Sequence, residues 1–424
     1  MEKIKKTIID FFQQANKIGF LHLLSANILI QITGFGGQIF LTRILSVEDI
    51  GTIKVLQTYL SIFVIIASFG LNTSVLKMCS EDISREEQKS IFSVSFFITI
   101  VTSLILISIV IMLQKFSIFK VNNYFSVYMF LIPIFSLTNL LIVYLQSQRK
   151  IKTISLIQSF SRIFIIIIST FIAFWFGLKG YINSLVILNL FSFLLILLFI
   201  RKEIQFQYLI NITISKLKKI FNIAIFALGS NLLGTLLLNV NIIIATILSI
   251  NSKEIGYYSI AQLIISTLMI IPSTLGQVMI PRISRISHDI DGVKEILKNY
   301  QNKNGILALL VSLFLGILAP LIIPLVFGEN YSNSVLYLEI LLIGFVFWSI
   351  YSPIGNTLLS VGRSDINFYM NSISIVINII LNYFFISKLG MLGAAIANTI
   401  TYFLTIFIYK FLFKKMYLLV RNRS

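Results

Sequence analysis

Apolar runs of about twenty residues, separated by short polar connections, recur from one end of the chain to the other. About 20 largely apolar residues are needed for a helix to cross roughly 30 Å of hydrocarbon. Such runs fall at 20–42, 55–76, 90–113, 125–145, 153–176, 181–200, 220–246, 257–280, 304–326, 335–360, 367–387 and 391–409. The pattern predicts twelve membrane-spanning helices. No connection between them is long enough for a separate soluble domain.

Composition agrees. Of 424 residues, 57% are hydrophobic and 12% charged, and mean hydropathy is +0.94. Soluble domains sit near 45–50% apolar and about 25% charged. The chain therefore reads as an all-α polytopic membrane protein. The opening MEKIKKTIIDFFQQANKIGF has no compact apolar region with a small-residue cleavage site, so no signal peptide is read. Its lysines beside Ile8, Ile9, Phe11 and Phe12 predict an interfacial basic helix over 1–19. His22, near the inner end of the first run, reads as a helix-end residue.

The net charge of +18 first suggests a polyanionic partner. Placing the basic residues removes that suggestion. With the N-terminus inside, 26 of the 34 Lys and Arg fall in inside segments. Arg43, Lys54, Lys115, Lys120, Lys179, Lys253 and Lys388 fall outside, and Arg162 falls within a span. Excess Lys and Arg in cytoplasmic connections sets membrane orientation. Both termini are expected in the cytoplasm, with 410–424 as a basic tail, and no nucleic-acid partner is implied.

Two fragments repeat half a chain apart. ILSVEDIG at 44–51 and ILSINSKEIG at 247–256 each join two apolar runs. Aligning Ile50-Gly51 with Ile255-Gly256 pairs Gln57 with Gln262, Ser61 with Ser266, Ser68 with Ser273 and Asn72 with Gln277. The spacings of 4, 7 and 4 keep one helix face. A second echo pairs Arg149 and FGLKG (176–180) with Arg363 and LGMLG (389–393). The echoes predict two six-helix lobes, 20–209 and 210–409. An even span number makes the repeats parallel, around a central cavity. Transporters built from paired repeats bind substrate near the midplane and alternate access by rocking.

Polar residues inside spans mark the candidate site. Arg162 lies about ten residues into its span, hence roughly 15 Å deep. An arginine there costs about 2.5–3.5 kcal/mol on insertion scales, so it should face a partner or water. It reads either as a cation lining a central cavity for an anionic substrate or as a structural arginine bonding neighbouring carbonyls. Ser155, Ser159, Arg162 and Ser169 share a stripe. Asn367, Asn371, Ser374, Asn378 and Asn382 form another, suited either to helix–helix hydrogen bonding or to a hydroxyl-rich ligand. Glu339 reads either as a carrier of a coupling proton or as a solvated helix end. Gly34, Gly36 and Gly37 allow close packing or a bend, while Pro133 and Pro353 interrupt equivalent spans of the two halves. The candidate substrate-binding set is Arg162, Arg43, Gln57, Ser61, Asn72, Gln262, Ser266, Gln277, Asn371 and Asn378.

Catalytic and metal chemistry finds no motif. There is no phosphate-binding Gly-rich loop ending in Lys-Ser/Thr, and the two histidines are far apart. Cys79, the single cysteine, excludes an intramolecular disulfide. No enzyme activity, metal or cofactor is expected.

The Gly-bearing first span ending LTRILSVEDIGTIKVLQ (41–57), with the late LGMLGAAIANTITY (389–402), resembles bacterial oligosaccharide flippases. These are the O-antigen and capsule repeat-unit translocases of the multidrug/oligosaccharidyl-lipid/polysaccharide exporter superfamily. Ile50 stands where the family often has an aromatic residue. The resemblance implies a MATE-like fold in the bacterial cytoplasmic membrane. It also implies flipping of undecaprenyl-diphosphate-linked oligosaccharide, with cavity arginines on the diphosphate and Arg162 and Arg43 as candidates. It further implies proton or sodium coupling, and a polysaccharide polymerase and chain-length regulator as partners. A multidrug exporter or lipid II flippase of the same superfamily is the alternative reading. The deep arginine, with acids nearly all in loops, favours an anionic substrate over a cationic drug.

Overall fold

Ile, Val and Phe are mediocre helix formers in water. In hydrocarbon, a backbone that cannot hydrogen-bond to solvent must satisfy itself, and a helix does so within one segment. The computed structural model describes residues 33–115, 124–148, 150–203, 213–286 and 289–414, and regular structure among these is helical throughout. Among the described residues, ten helices are long and apolar enough to cross a membrane. One of the ten, Leu156–Ile200, is broken at Gly177, and a further helix over 33–44 lies in the first expected span. Twelve helices fit this count. The interfacial helix over 1–19, His22, Arg149 and the tail beyond 414 lie outside the described residues.

Helix α1 covers 33–44. α2 is in two pieces, Val47–Ser68 and Leu71–Cys79, and α3 is Arg85–Lys115. α4 comprises Phe125–Met129 and Leu131–Ser147. α5 (151–176) and α6 (178–200) meet at Gly177 without a loop. α7 is Ile214–Ile247, and α8 comprises Ser252–Leu268 and Ile270–Arg285. α9 to α12 are Ile290–Phe327, Ser334–Ser360, Ser364–Leu389 and Met391–Leu412.

Both sequence echoes have a structural counterpart. Gly177 joins α5 to α6 at φ 58° and ψ −152°, while Gly390 joins α11 to α12 at φ 59° and ψ −144°. Both have positive φ, a region that glycine enters without steric penalty. In each half the helix after the echo fragment is also broken in two, at Phe69-Gly70 in α2 and at Met269 in α8.

The chain divides into two compact units, Met1–Leu45 with Leu56–Thr235 and Ser46–Val55 with Leu236–Ser424. The division falls inside α7, some twenty-five residues beyond the boundary expected at 209/210. Packing gives the reason. Ile220 and Ala224 of α7 are fully buried in the core of the first unit. That core joins Leu71 and Met78 of α2, Phe92 of α3, Tyr144 of α4, Ile154 of α5 and Ile200 of α6. Phe92 and Tyr144 stack with ring centroids 4.0 Å apart. Ser74 Oγ donates to the Ile220 carbonyl at 2.9 Å. These residues sit at alternating ends of successive helices, as up-down threading requires. Ion pairs Lys216–Glu87 (2.9 Å), Lys219–Glu81 (3.1 Å) and Lys89–Glu203 (3.7 Å) rim the same end.

In the second unit α10 packs against α9 and α12, and α11 packs along α12. Lipid is as apolar as leucine, so such helices associate through close contact and hydrogen bonds. Ser312 Oγ reaches the Leu342 carbonyl, Thr399 Oγ1 the Ile340 carbonyl and Gln301 Nε2 the Ile350 carbonyl.

Candidate functional site

Four helices of the first unit enclose a cavity of about 550 Å³. α2 contributes Gln57 and Ser61, and α4 contributes Tyr128, Thr138 and Asn139. α5 contributes Gln158, Ser161 and Arg162, and α6 contributes Tyr181, Asn189 and Ser192. Apolar side chains such as Leu60, Phe135 and Ile165 fill the rest of the wall. Three of these helices bring their polar groups at helical spacing. On α5 the lining positions 158, 161, 162 and 165 follow the i, i+3, i+4, i+7 stripe.

Among the described residues, Arg162 is the only charged one in the lining. It lies eleven residues from the start of α5 and is exposed to the cavity, with no hydrogen bond or ion pair among the described residues. Gln57, Asn139 and Gln158 likewise make no side-chain hydrogen bond to other described residues. Among the described residues the cavity thus presents one guanidinium without a partner, three amides without one and several hydroxyls. A guanidinium carries five N–H donors and no acceptor, in a geometry that matches phosphate oxygens. Among the described residues no carboxylate lines the cavity to attract a cation.

The expected α5 stripe is rotated from the observed one. Ser169 is buried and donates to the Ile166 carbonyl at 3.2 Å, and Ser159 Oγ is buried without a hydrogen-bond partner. Gln158 and Ser161 take the positions facing the cavity. The stripe expected on α2 is cut by backbone. Phe69 (φ 48°) and Gly70 (φ 71°) break the helix, leaving Gln57 and Ser61 in the cavity and Asn72 beyond the break. Ser68 is buried and bonded to the Val64 carbonyl. Lys54, placed by hydropathy in the outer connection, instead stands in the second turn of α2. Arg43 occupies the last turn of α1, exposed, and does not line the cavity.

In the second unit the polar face of α11 is engaged with α12. Asn371 Oδ1 accepts from Tyr409 Oη at 2.7 Å, and Asn378 Nδ2 donates to Asn398 Oδ1 at 2.9 Å and to Thr401 Oγ1 at 3.1 Å. Asn398 Nδ2 continues to Tyr258 Oη at 2.8 Å, and Asn241 Nδ2 donates to the same hydroxyl. Gln262 Nε2 donates to the Leu238 carbonyl at 3.2 Å, and Ser266 bonds its own helix at Leu263. The side chain of Gln277 lies outside what the structure describes. Glu339 is exposed near the start of α10. Among the described residues no three His, Cys, Asp or Glu come together to hold a metal ion.

Comparison with known sequences assigns the chain. The pattern of the polysaccharide biosynthesis protein family matches residues 40–336. The chain belongs to that family. It is 27% identical over 292 residues to a putative O-antigen transporter of Shigella flexneri, covering 67% of this chain and 68% of the relative. It is 25% identical over 393 residues to a probable low-salt glycan biosynthesis flippase of Haloferax volcanii, covering 90% and 80% respectively. In fold it is similar to an inward-facing multidrug resistance MATE family transporter, with TM-score 0.77, 13% identity and coverage of 93% and 96%. The chain is a MATE-like multi-pass membrane protein of polysaccharide biosynthesis.

Proposed function

We propose that this protein flips a polyprenyl-diphosphate-linked oligosaccharide across the bacterial cytoplasmic membrane by alternating access, with both termini in the cytoplasm. The observation that carries this reading is Arg162, a mid-helix guanidinium without a partner among the described residues, in a cavity of amides and hydroxyls. Placing a charge there is costly, and an anionic ligand offsets the cost. The diphosphate takes Arg162, while Gln57, Asn139, Gln158 and Asn189 bond sugar hydroxyls. The relatives' roles in O-antigen transport and glycan flipping support the substrate class. A lining with no carboxylate among the described residues argues against a cationic drug. A polymerase and a chain-length regulator are the expected partners.

The test is reconstitution of the full chain in proteoliposomes with a fluorescent undecaprenyl-diphosphate oligosaccharide in both leaflets. Fluorophore on the outside is quenched chemically, and the rate of quenching beyond the outer-leaflet half reports flipping. The wild type should quench nearly all label and Arg162→Ala only the outer half. Equal rates above the protein-free background remove Arg162 from the mechanism, and a wild type that quenches only the outer half removes the substrate assignment.

A further inference from the structure

We propose that the apolar groove between α1 and α5 receives the isoprenoid tail of the substrate whose diphosphate is held at Arg162. This rests on the function proposed above and adds a site for the part of the ligand that the cavity leaves unaccounted for.

The groove has a volume of about 560 Å³ and is walled by Gly36, Gly37 and Phe40 of α1 and by Ile166, Thr170 and Phe174 of α5. Two glycines shape it in different ways. At Gly37 the helices touch, since a Cβ there would overlap Ile166 Cγ2. At Gly36 a Cβ would meet nothing within 4 Å, so the missing side chain is empty groove. Phe40 and Phe174 stand as its rims, each 65% exposed, which opens the groove to the surrounding hydrocarbon.

Ile166 borders both the groove and the Arg162 cavity. It follows Arg162 by four residues, one turn along the same face and about 6 Å along the axis. Anion site and apolar groove are therefore consecutive along one helix. That continuity selects the occupant. A bilayer phospholipid keeps its charged group at the surface, roughly 15 Å from the midplane. An amphiphile whose anionic group sits on a mid-membrane arginine must instead begin its tail at that depth. The groove starts there.

The test uses the full chain in nanodiscs of palmitoyl-oleoyl phosphatidylglycerol, with a diazirine placed near the diphosphate end of a polyprenyl diphosphate. Photolysis should label α1 and α5 peptides containing Phe40, Thr170 and Phe174. Excess unlabelled undecaprenyl diphosphate should reduce that labelling at least about tenfold, and added phospholipid should leave it unchanged. Gly36→Phe, or Thr170→Trp as a second filling variant from α5, should abolish it. Labelling that phospholipid displaces equally well, or that survives both variants, overturns the proposal. Citronellyl diphosphate, too short to need the groove, separates the two readings. Its binding should weaken in Arg162→Ala and persist in Gly36→Phe. If it binds through Arg162 while the groove fails, the function stands alone; if it does not bind, function and groove both fall.

Discussion

Gly51 and Gly256 face one another with reciprocal geometry. A Cβ on Gly51 would lie 2.8 Å from Gly256 N and overlap the Ser252 carbonyl, and one on Gly256 would lie 2.8 Å from Val47 Cγ1 and overlap the Val47 carbonyl. Val47 and Ser252 are each four residues before their glycine, so the contact repeats under the register that aligns the two echo fragments. The glycines are where the starts of α2 and α8 cross, and no side chain fits between them.

Gly51→Ala and Gly256→Ala should therefore each lower stability by about 1–3 kcal/mol, the usual range for overpacking. The clash is with backbone, which cannot rotate away. Gly34→Ala, which meets nothing within 4 Å, is the control and should match the wild type or exceed it, because alanine favours helix. Thermal unfolding in detergent, followed by size-exclusion fluorescence, reads all three. A Gly51→Ala melting curve superposable on the wild type would contradict the crossing.

Fold was legible in the sequence to the extent that hydrocarbon dictates it. Span positions follow from run length, and Gly177 and Gly390 were visible because a glycine at a loop-free turn keeps its neighbours in register. The break at Phe69-Gly70 was not legible, since a phenylalanine at φ 48° has no local signature and is imposed by packing against α7. The cavity was half legible. Arg162, Gln57 and Ser61 stood out as costly polar groups in apolar runs. Asn139, Gln158 and Asn189 sit singly on three helices, so their convergence is a tertiary fact. Lys54 was misplaced because hydropathy starts the span at the first apolar run, whereas α2 starts at its acidic first turn, Glu48 and Asp49.

Tyr258 is the hub of the amide network in the second unit, accepting from Asn241 and Asn398. Tyr258→Phe leaves the buried Asn241 amide and the half-buried Asn398 amide short of an acceptor, and an unsatisfied buried group costs about 1–3 kcal/mol. Ser266→Ala removes an exposed hydroxyl bonded only to its own helix and should stay within about 0.5 kcal/mol. The difference in denaturation midpoint between the two variants measures the network.

Cys79 is buried, with its thiol 3.7 Å from the Gln88 carbonyl. Burial first, and then the charge of Glu87, push the thiol from 9.0 up to about 12. The folded protein thus holds its proton where the unfolded chain has released it. Stability is unaffected below about pH 9 and falls as pH rises from 9 toward 12. Cys79→Ser should flatten that part of the stability–pH curve. N-ethylmaleimide at pH 8 should leave the folded wild type unlabelled and react fully once it is denatured. Rapid labelling of the folded protein would show the thiol to be accessible.

Arg162→Lys distinguishes charge from geometry at the cavity. Lysine keeps the positive charge but replaces a planar fork with a point charge, losing bidentate recognition of phosphate oxygens. If Arg162 holds a diphosphate, Arg162→Lys should flip lipid-linked oligosaccharide more slowly than wild type by about tenfold, one good hydrogen bond's worth. Arg162→Gln, which removes the charge, should fall further, to the protein-free background. An arginine that serves only the fold would give a different pattern: glutamine would lower thermal stability by removing its bonds and leave flipping by the folded protein intact. Measuring both flipping rate and melting temperature for the pair therefore decides the role. Flipping in Arg162→Gln equal to wild type would remove the residue from the mechanism.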